Sequence, residues 1–377
     1  MTLELTQEQQ ILRETVREFA QNEIAPLASK IDRESLVPQE LLSKLPKLGL
    51  FGISVPSDYG GAGADFLSLM IVCEEVSKAS GSLGAQISFH NAVVCEALVA
   101  STNAGLKESL LSKLASGTLG AFDFPAEKAK SEQITCKIEG SELIVNGSSQ
   151  YVTSASKAGI FIACGDLVGT KSDRILFAFS RDDTSQGAFS TGEPRKLMGM
   201  RASGTASVSF DNMRLPLQSL VCEVPKTGEY LGQLLARARL AVASQALGIA
   251  QASIEAEVRY ANERKQFDTK IGNFYAVQEM IASDAVDVET SRSLCYLTSS
   301  EILSGNALQK NSAIAKVAAS NAAVKAARHA IRVHGGYGFT RAYPVERYAR
   351  DARITQIYTE TNEDLKSLIA RSLLGEI

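Results

Sequence analysis

Glu360 and Glu363 stand on either side of Thr361 in the run Tyr358-Thr359-Glu360-Thr361-Asn362-Glu363, which mixes carboxylates with hydroxyls and turn-forming residues. A carboxylate desolvated against apolar neighbours can have its pKa raised toward neutrality and take a proton from carbon. The hydroxyl of Thr359 cannot, because it has no accessible anion near neutral pH. Thr361 or Asn362 would also cap a helix carrying Leu365, Leu368 and Ile369 on its buried face. A second candidate group is Glu263-Arg264-Lys265-Gln266-Phe267, where the planar, permanently charged fork of Arg264 suits a pyrophosphate. Read alone, Arg264 is better taken as a solvated helix arginine. A third is His334-Gly335-Gly336-Tyr337-Gly338-Phe339, whose glycines let backbone amides approach a phosphate closely, or simply end a helix in a tight turn.

These groups need elements to hold them. Thr6-x-x-Gln9 is a capping box, and Leu12, Val16, Phe19 and Ala20 follow at helical spacing, so a first amphipathic helix runs from there to about Ala25-Pro26. Further helices are expected over 38–48, 66–78 and 91–115, with the turn Asp58-Tyr59-Gly60-Gly61-Ala62-Gly63 between them. After Gly117 the pattern changes. Ile134, Cys136 and Ile138 alternate with polar residues, Gly140-Ser141 can turn a hairpin, and Leu143 and Val145 resume the alternation. Strand-like runs at 159–164, 175–179 and 206–210 complete a small antiparallel sheet. From about Tyr230, alanine-rich helical patterns dominate over 234–263, 276–303 and 312–333, with small residues permitting close bundle packing. The expected fold class is α+β: an N-terminal helical domain over 1–118, a middle antiparallel β domain over 119–225 and a C-terminal helical bundle over 226–377.

Composition narrows the function. A chain of 377 residues with 45% hydrophobic and 21% charged residues needs no disulfide staples, and a net charge of −3 offers no basic field for nucleic acid or an anionic membrane. Six scattered cysteines without a Cys-x-x-Cys pair, together with three histidines, give no metal-ligand spacing and read as reduced core thiols. No secretory pattern opens the sequence and no apolar run has membrane-spanning length, so a cytoplasmic protein is expected.

The chain resembles the acyl-CoA dehydrogenase family. The resemblance is carried by Leu197-Met198-Gly199-Met200-Arg201-Ala202-Ser203-Gly204-Thr205, by Phe210-Asp211-Asn212-Met213-Arg214-Leu215-Pro216, by Glu263 to Phe267, by His334 to Phe339 and by the Tyr358 turn, in that order. It implies FAD, an acyl-CoA substrate, and α,β-oxidation in which a base takes the α proton while the flavin takes the β hydride. It further implies assembly with homologous subunits as a dimer of dimers, identical or mixed, and electron-transferring flavoprotein as electron acceptor. Candidate cofactor-binding residues under this resemblance are Phe122, Tyr151, Val152, Thr153, Arg264, Phe267, Arg332, Gly335, Gly336, Thr361 and Glu363, with Arg264 and Phe267 reaching a neighbouring subunit's flavin. Ser131 and Arg239 are the substrate-binding candidates, and Arg201 is a further one.

Three departures from the family pattern bear on chemistry. Thr359 stands where the catalytic glutamate is usual, leaving Glu360 as the nearest carboxylate. Ala238, before Arg239, closes the alternative position for that glutamate on the first long C-terminal helix. Phe122 to Ser131 replaces a small-residue loop with Glu127, Lys128 and Lys130. Two further readings therefore stand beside autonomous dehydrogenation: a non-catalytic subunit completing an intact homologue's flavin site, and non-redox acyl-CoA chemistry on the same fold.

Overall fold

The computed structural model describes residues 4–125, 133–170, 173–301 and 305–375; Ser131 and its charged neighbours Glu127, Lys128 and Lys130 lie outside them. The Thr6 capping box forms as expected, with the Gln9 amide N–H donating to Thr6 Oγ1 and the Gln9 side chain accepting from the Thr6 amide. It starts α1 (Gln7–Phe19), which is followed by α2 (Ala28–Glu34), α3 (Gln39–Leu42), α4 (Phe66–Ala79), α5 (Gly81–Phe89), α6 (Glu96–Val99) and α7 (Ala104–Ala115). The continuous helix expected over 91–115 is broken instead. A π-helical turn, His90–Cys95, intervenes, and Asn103 starts α7 afresh by accepting the Leu106 amide. The segment 38–48 is likewise a short helix and a 3-10 turn separated by Ser43–Leu45.

The central sheet contains β1 (Gly120–Asp123), β2 (Thr135–Glu139), β3 (Glu142–Val152), β4 (Ile160–Leu167), β5 (Arg174–Ser180), β6 (Phe189–Thr191) and β7 (Ala206–Pro216). Gly140-Ser141 joins β2 to β3 as a tight hairpin. The sheet is mixed rather than antiparallel: β4 pairs antiparallel with β5 along one edge, while β1 and β2 lie parallel to it on the other. Alternating hydrophobicity reports which side chains are buried and says nothing about strand direction, so the sequence pattern could not separate the two.

The C-terminal part is α8 (Thr227–Glu263), a short hairpin of β8 (Lys265–Gln266) and β9 (Thr269–Lys270), α9 (Tyr275–Ser300), α10 (Gly305–His334), α11 (Val345–Ile354) and α12 (Asn362–Leu374). Ala315, Ala319, Ala323 and Ala327 recur every fourth residue along α10 and are buried in a core shared with α1, α4 and α8. Their small side chains let the helices approach closely. In β4 the alternation divides the sheet between two more cores. Ile160, Ile162 and Cys164 face α7 and α8, whereas Phe161 and Ala163 join Phe177, Phe179 and Phe210 on the opposite face. No helix among the described residues is long and apolar enough to cross a membrane, and none of their His, Cys, Asp and Glu side chains group as a metal site.

Candidate active site

The turn between α11 and α12 is built on a strained residue. Thr359 has φ +64°, a left-handed conformation that a β-branched side chain disfavours by about 1–3 kcal/mol. Its hydroxyl turns back to donate to the Tyr358 carbonyl at 2.5 Å. Such a conformation persists only where the surroundings hold it, and here three helices do. From α8, Arg239 grips both carboxylate oxygens of Glu360, through Nε at 2.6 Å and its second terminal nitrogen at 2.8 Å. From α10, Lys316 Nζ donates to the Glu360 carbonyl at 2.8 Å and to Asn362 Oδ1 at 2.9 Å. Below the turn, the Tyr358 hydroxyl donates to Gln245 Oε1 on α8, whose amide nitrogen donates to Ser88 Oγ on α5 at 2.8 Å.

Glu360 is therefore half of a bidentate ion pair. Arg239 is 1% exposed, and a buried guanidinium requires a counter-charge. Glu360 supplies it, and Gln309 Oε1 accepts a third guanidinium hydrogen bond at 2.7 Å. With one hydrogen bond from Arg239 on each oxygen, the carboxylate keeps further lone pairs that can take a proton, and taking one up weakens the ion pair. Burial holds the fully enclosed Lys316 ammonium down to a pKa of about 8, partly offset by Glu360 and Glu363. Thr361 caps α12, its Oγ1 accepting the Asp364 amide at 3.1 Å, and Glu363 points outward from the first turn.

An aromatic group closes the space beneath Tyr358. Its ring lies 5.4 Å from Phe89, which is 6.4 Å from Phe124, itself 4.4 Å from Phe122. Phe122 is buried in this group, so β1 offers a ligand its backbone rather than that side chain. Helix α5 links this region to the sheet domain: Ser88 and Phe89 meet the Tyr358 side, while Gln86 donates to the Ala202 carbonyl at 2.7 Å and Ser82 accepts the Ala202 amide at 3.2 Å. The 202–204 segment in turn pairs with the end of β3, where Ser154 N donates to the Ser203 carbonyl.

At that end of β3, Val152 is buried, Thr153 is half-buried and Tyr151 is 71% exposed with the Arg195 guanidinium 5.3 Å from its ring centre. Ser154 Oγ beside them is buried without a hydrogen-bond partner. The exposed Tyr151 ring and the Thr153 hydroxyl are of the chemical types that suit the ring of a flavin, whereas Ser154 is fully buried. The third group lies apart. Arg264 is 25 residues beyond Arg239 on α8, about 37 Å along the axis at 1.5 Å per residue. It is exposed and makes no ion pair among the described residues, and Phe267 next to it is 88% exposed at φ +52°. Gly335 and Gly336 are exposed just past the end of α10, as is Arg332 in its last turn. A ligand on the Thr359 turn of one chain is out of reach of that chain's own Arg264.

Models of the acyl-CoA dehydrogenase N-terminal and C-terminal domains match residues 6–118 and 228–374. The short-chain specific acyl-CoA dehydrogenase of Clostridium acetobutylicum is 34% identical over 98% of this chain and 99% of its own. The chain belongs to the acyl-CoA dehydrogenase family. Its fold superposes on a glutaryl-CoA dehydrogenase solved with glutaryl-CoA, at TM-score 0.92 and 30% identity over 100% of this chain and 97% of that one. Butyryl-CoA dehydrogenase from Megasphaera elsdenii gives 0.91 and 28% over 99% and 100%. This acyl-CoA dehydrogenase-family chain is thus a flavoprotein with FAD as its cofactor.

Sequence reasoning passed over Lys316, Gln245 and Gln309, and read Asn362 only as a candidate cap. A signal was present. Gln309, Ser312, Lys316 and Ser320 sit at i, i+3, i+7 and i+11, a polar stripe along the face of an alanine-rich helix that turns out to carry the Thr359 turn.

Proposed function

We propose that this chain oxidises a short-chain acyl-CoA thioester at its α and β carbons, with Glu360 as the base that takes the α proton. Bound FAD supplies the hydride acceptor. The observation that carries the reading is the seating of the Tyr358–Thr361 turn on Arg239 and Lys316, which keeps one carboxylate at the site with its side chain 24% exposed. Glu360 takes the proton on a lone pair that Arg239 leaves unused, and the guanidinium keeps the carboxylate in place. The backbone N–H groups of the turn are available to polarise the thioester carbonyl.

The close packing beneath the turn, where Tyr358 donates to Gln245 and its ring lies 5.4 Å from Phe89, supports a short acyl group. The relative from Clostridium acetobutylicum named as short-chain specific supports the same choice. On this reading Tyr151 and Thr153 lie against the flavin of their own subunit. Arg264, Phe267, Arg332, Gly335 and Gly336 serve the flavin of a neighbouring, homologous subunit, and electron-transferring flavoprotein accepts the electrons.

The test is the visible spectrum of the purified chain, with flavin counted per subunit, on anaerobic addition of acyl-CoAs from butyryl to octanoyl. Stoichiometric flavin bleached by butyryl-CoA and not by octanoyl-CoA is expected. A colourless chain that takes up flavin only beside an intact homologue would overturn autonomous oxidation and leave a supporting subunit, the reading that the Arg239–Glu360 pair would then favour. Flavin that responds to acyl-CoA without bleaching would leave binding without oxidation.

A further inference from the structure

A buried lysine in an alanine-rich helix needs a reason to be there. Lys316 is 0% exposed, lies midway along α10, and makes no ion pair among the described residues. Desolvating an ammonium is costly unless its hydrogens are well satisfied. Its two acceptors, the Glu360 carbonyl at 2.8 Å and Asn362 Oδ1 at 2.9 Å, both belong to the segment that carries Thr359. Asn362 is held in turn by Ser320 Oγ at 3.0 Å and Asn321 Oδ1 at 3.1 Å on the same helix, and its own amide donates to the Gln356 carbonyl at 2.9 Å. The strained Thr359 is thus bracketed. Tyr358 is anchored on one side by Gln245, and Glu360 and Asn362 are anchored on the other by Lys316.

We propose that Lys316 is a positioning residue for the thioester site: through the Glu360 carbonyl and Asn362 it holds Thr359 in its left-handed conformation, and so fixes the turn amides and the Glu360 carboxylate against the acyl group. The proposal rests on the reading of this turn as the thioester site. Its physical content is separable from that reading, because the conformation of the turn is measurable without a substrate.

Lys316 faces Arg239 on α8, the Glu360 carboxylate on the turn and Glu363 on α12. Its ammonium is held well below the ordinary lysine value by burial, so the closed turn favours the neutral amine more than an open, solvated turn does. Proton linkage then makes opening harder as pH rises through about 8 toward 10.5. A backbone turn with no such lysine beneath it has no reason to tighten in that window.

The experiment is amide hydrogen exchange over 355–362 in the wild-type protein and in Lys316→Met and Lys316→Gln, paired with acyl-CoA titration of the flavin spectrum. Lys316→Met removes both donors, and the turn amides are expected to exchange about tenfold faster relative to the α8 and α10 core, the value of about 1.4 kcal/mol of lost hydrogen bonding. Lys316→Gln keeps an amide donor group on a shorter, uncharged side chain and should fall between. Butyryl-CoA affinity should weaken in the same order, with flavin content and thermal midpoint unchanged or raised. Turn exchange in Lys316→Met equal to wild type would overturn the proposal. So would wild-type protection that fails to rise from pH 8 to pH 10 after correction for intrinsic exchange, a measurement that needs no variant to fold. Faster turn exchange with no change in acyl-CoA response would instead leave the positioning intact and overturn the site assignment.

Discussion

At the scale of single residues, the chemistry turns on two neighbours, Thr359 and Glu360. Thr359→Glu places a carboxylate where the family resemblance expects one, and turnover with butyryl-CoA is expected to rise by about 10²–10⁴, the usual contribution of a positioned base; steady-state kinetics against wild type measure it. Glu360→Gln should abolish turnover while the flavin stays bound, and unchanged kcat would remove Glu360 as the base. The same substitution takes the counter-charge from a buried guanidinium, so the midpoint of urea unfolding should fall by an amount corresponding to about 3–5 kcal/mol. Thr359 itself was legible as a departure because a motif is read position by position. The Arg239–Glu360 pair was not, since 121 residues separate its members and nothing in either segment names the other.

Among the elements, α8, α9 and α10 enclose an ionisable group that no motif explains. Glu257 on α8 is 0% exposed with neither carboxylate oxygen hydrogen-bonded, and burial raises its pKa to about 9, assisted by Asp284 on α9. Asp284 pairs with His329 on α10 at 2.9 Å. Glu257 consequently binds a proton in the folded state over a range where the unfolded chain has released it. Stability from this group is present below pH 4.5 and is lost as pH rises toward 9. Glu257→Met should remove that slope and raise the unfolding free energy at pH 8 by about 1–3 kcal/mol, because an apolar side chain leaves no buried polar atom unsatisfied; denaturant titrations at two pH values check both. The helices themselves were legible because their spacing is a local property of the chain. Their interruptions at His90–Cys95 and Asn103, and the parallel placement of β1 and β2, depend on what packs against them.

For the whole molecule, the N-terminal helices, the sheet and the C-terminal bundle are clasped at one point. Arg350 on α11 holds Asp32 on α2 through two bonds of 2.7 and 2.9 Å and donates to the Met198 carbonyl at 3.0 Å, while Asp351 accepts the Met200 amide at 2.5 Å. Gly199 is required between them, because a Cβ there would lie 2.2 Å from the Arg350 carbonyl oxygen. On the proposed reading, in which Arg264 serves a neighbouring subunit's flavin, flavin retention is a property of the assembly. Arg264→Gln should lower flavin per subunit several-fold while leaving the monomer's circular dichroism unchanged, measured by absorbance after gel filtration. The cysteines carry one more consequence. All six are free and buried: Cys73 and Cys295 lie in the helical core, Cys95, Cys164 and Cys222 between helices and sheet, and Cys136 on the far face of the sheet. Three of the four cores among the described residues thus contain silent thiols, and timed alkylation followed by peptide mapping would report the order in which those three open.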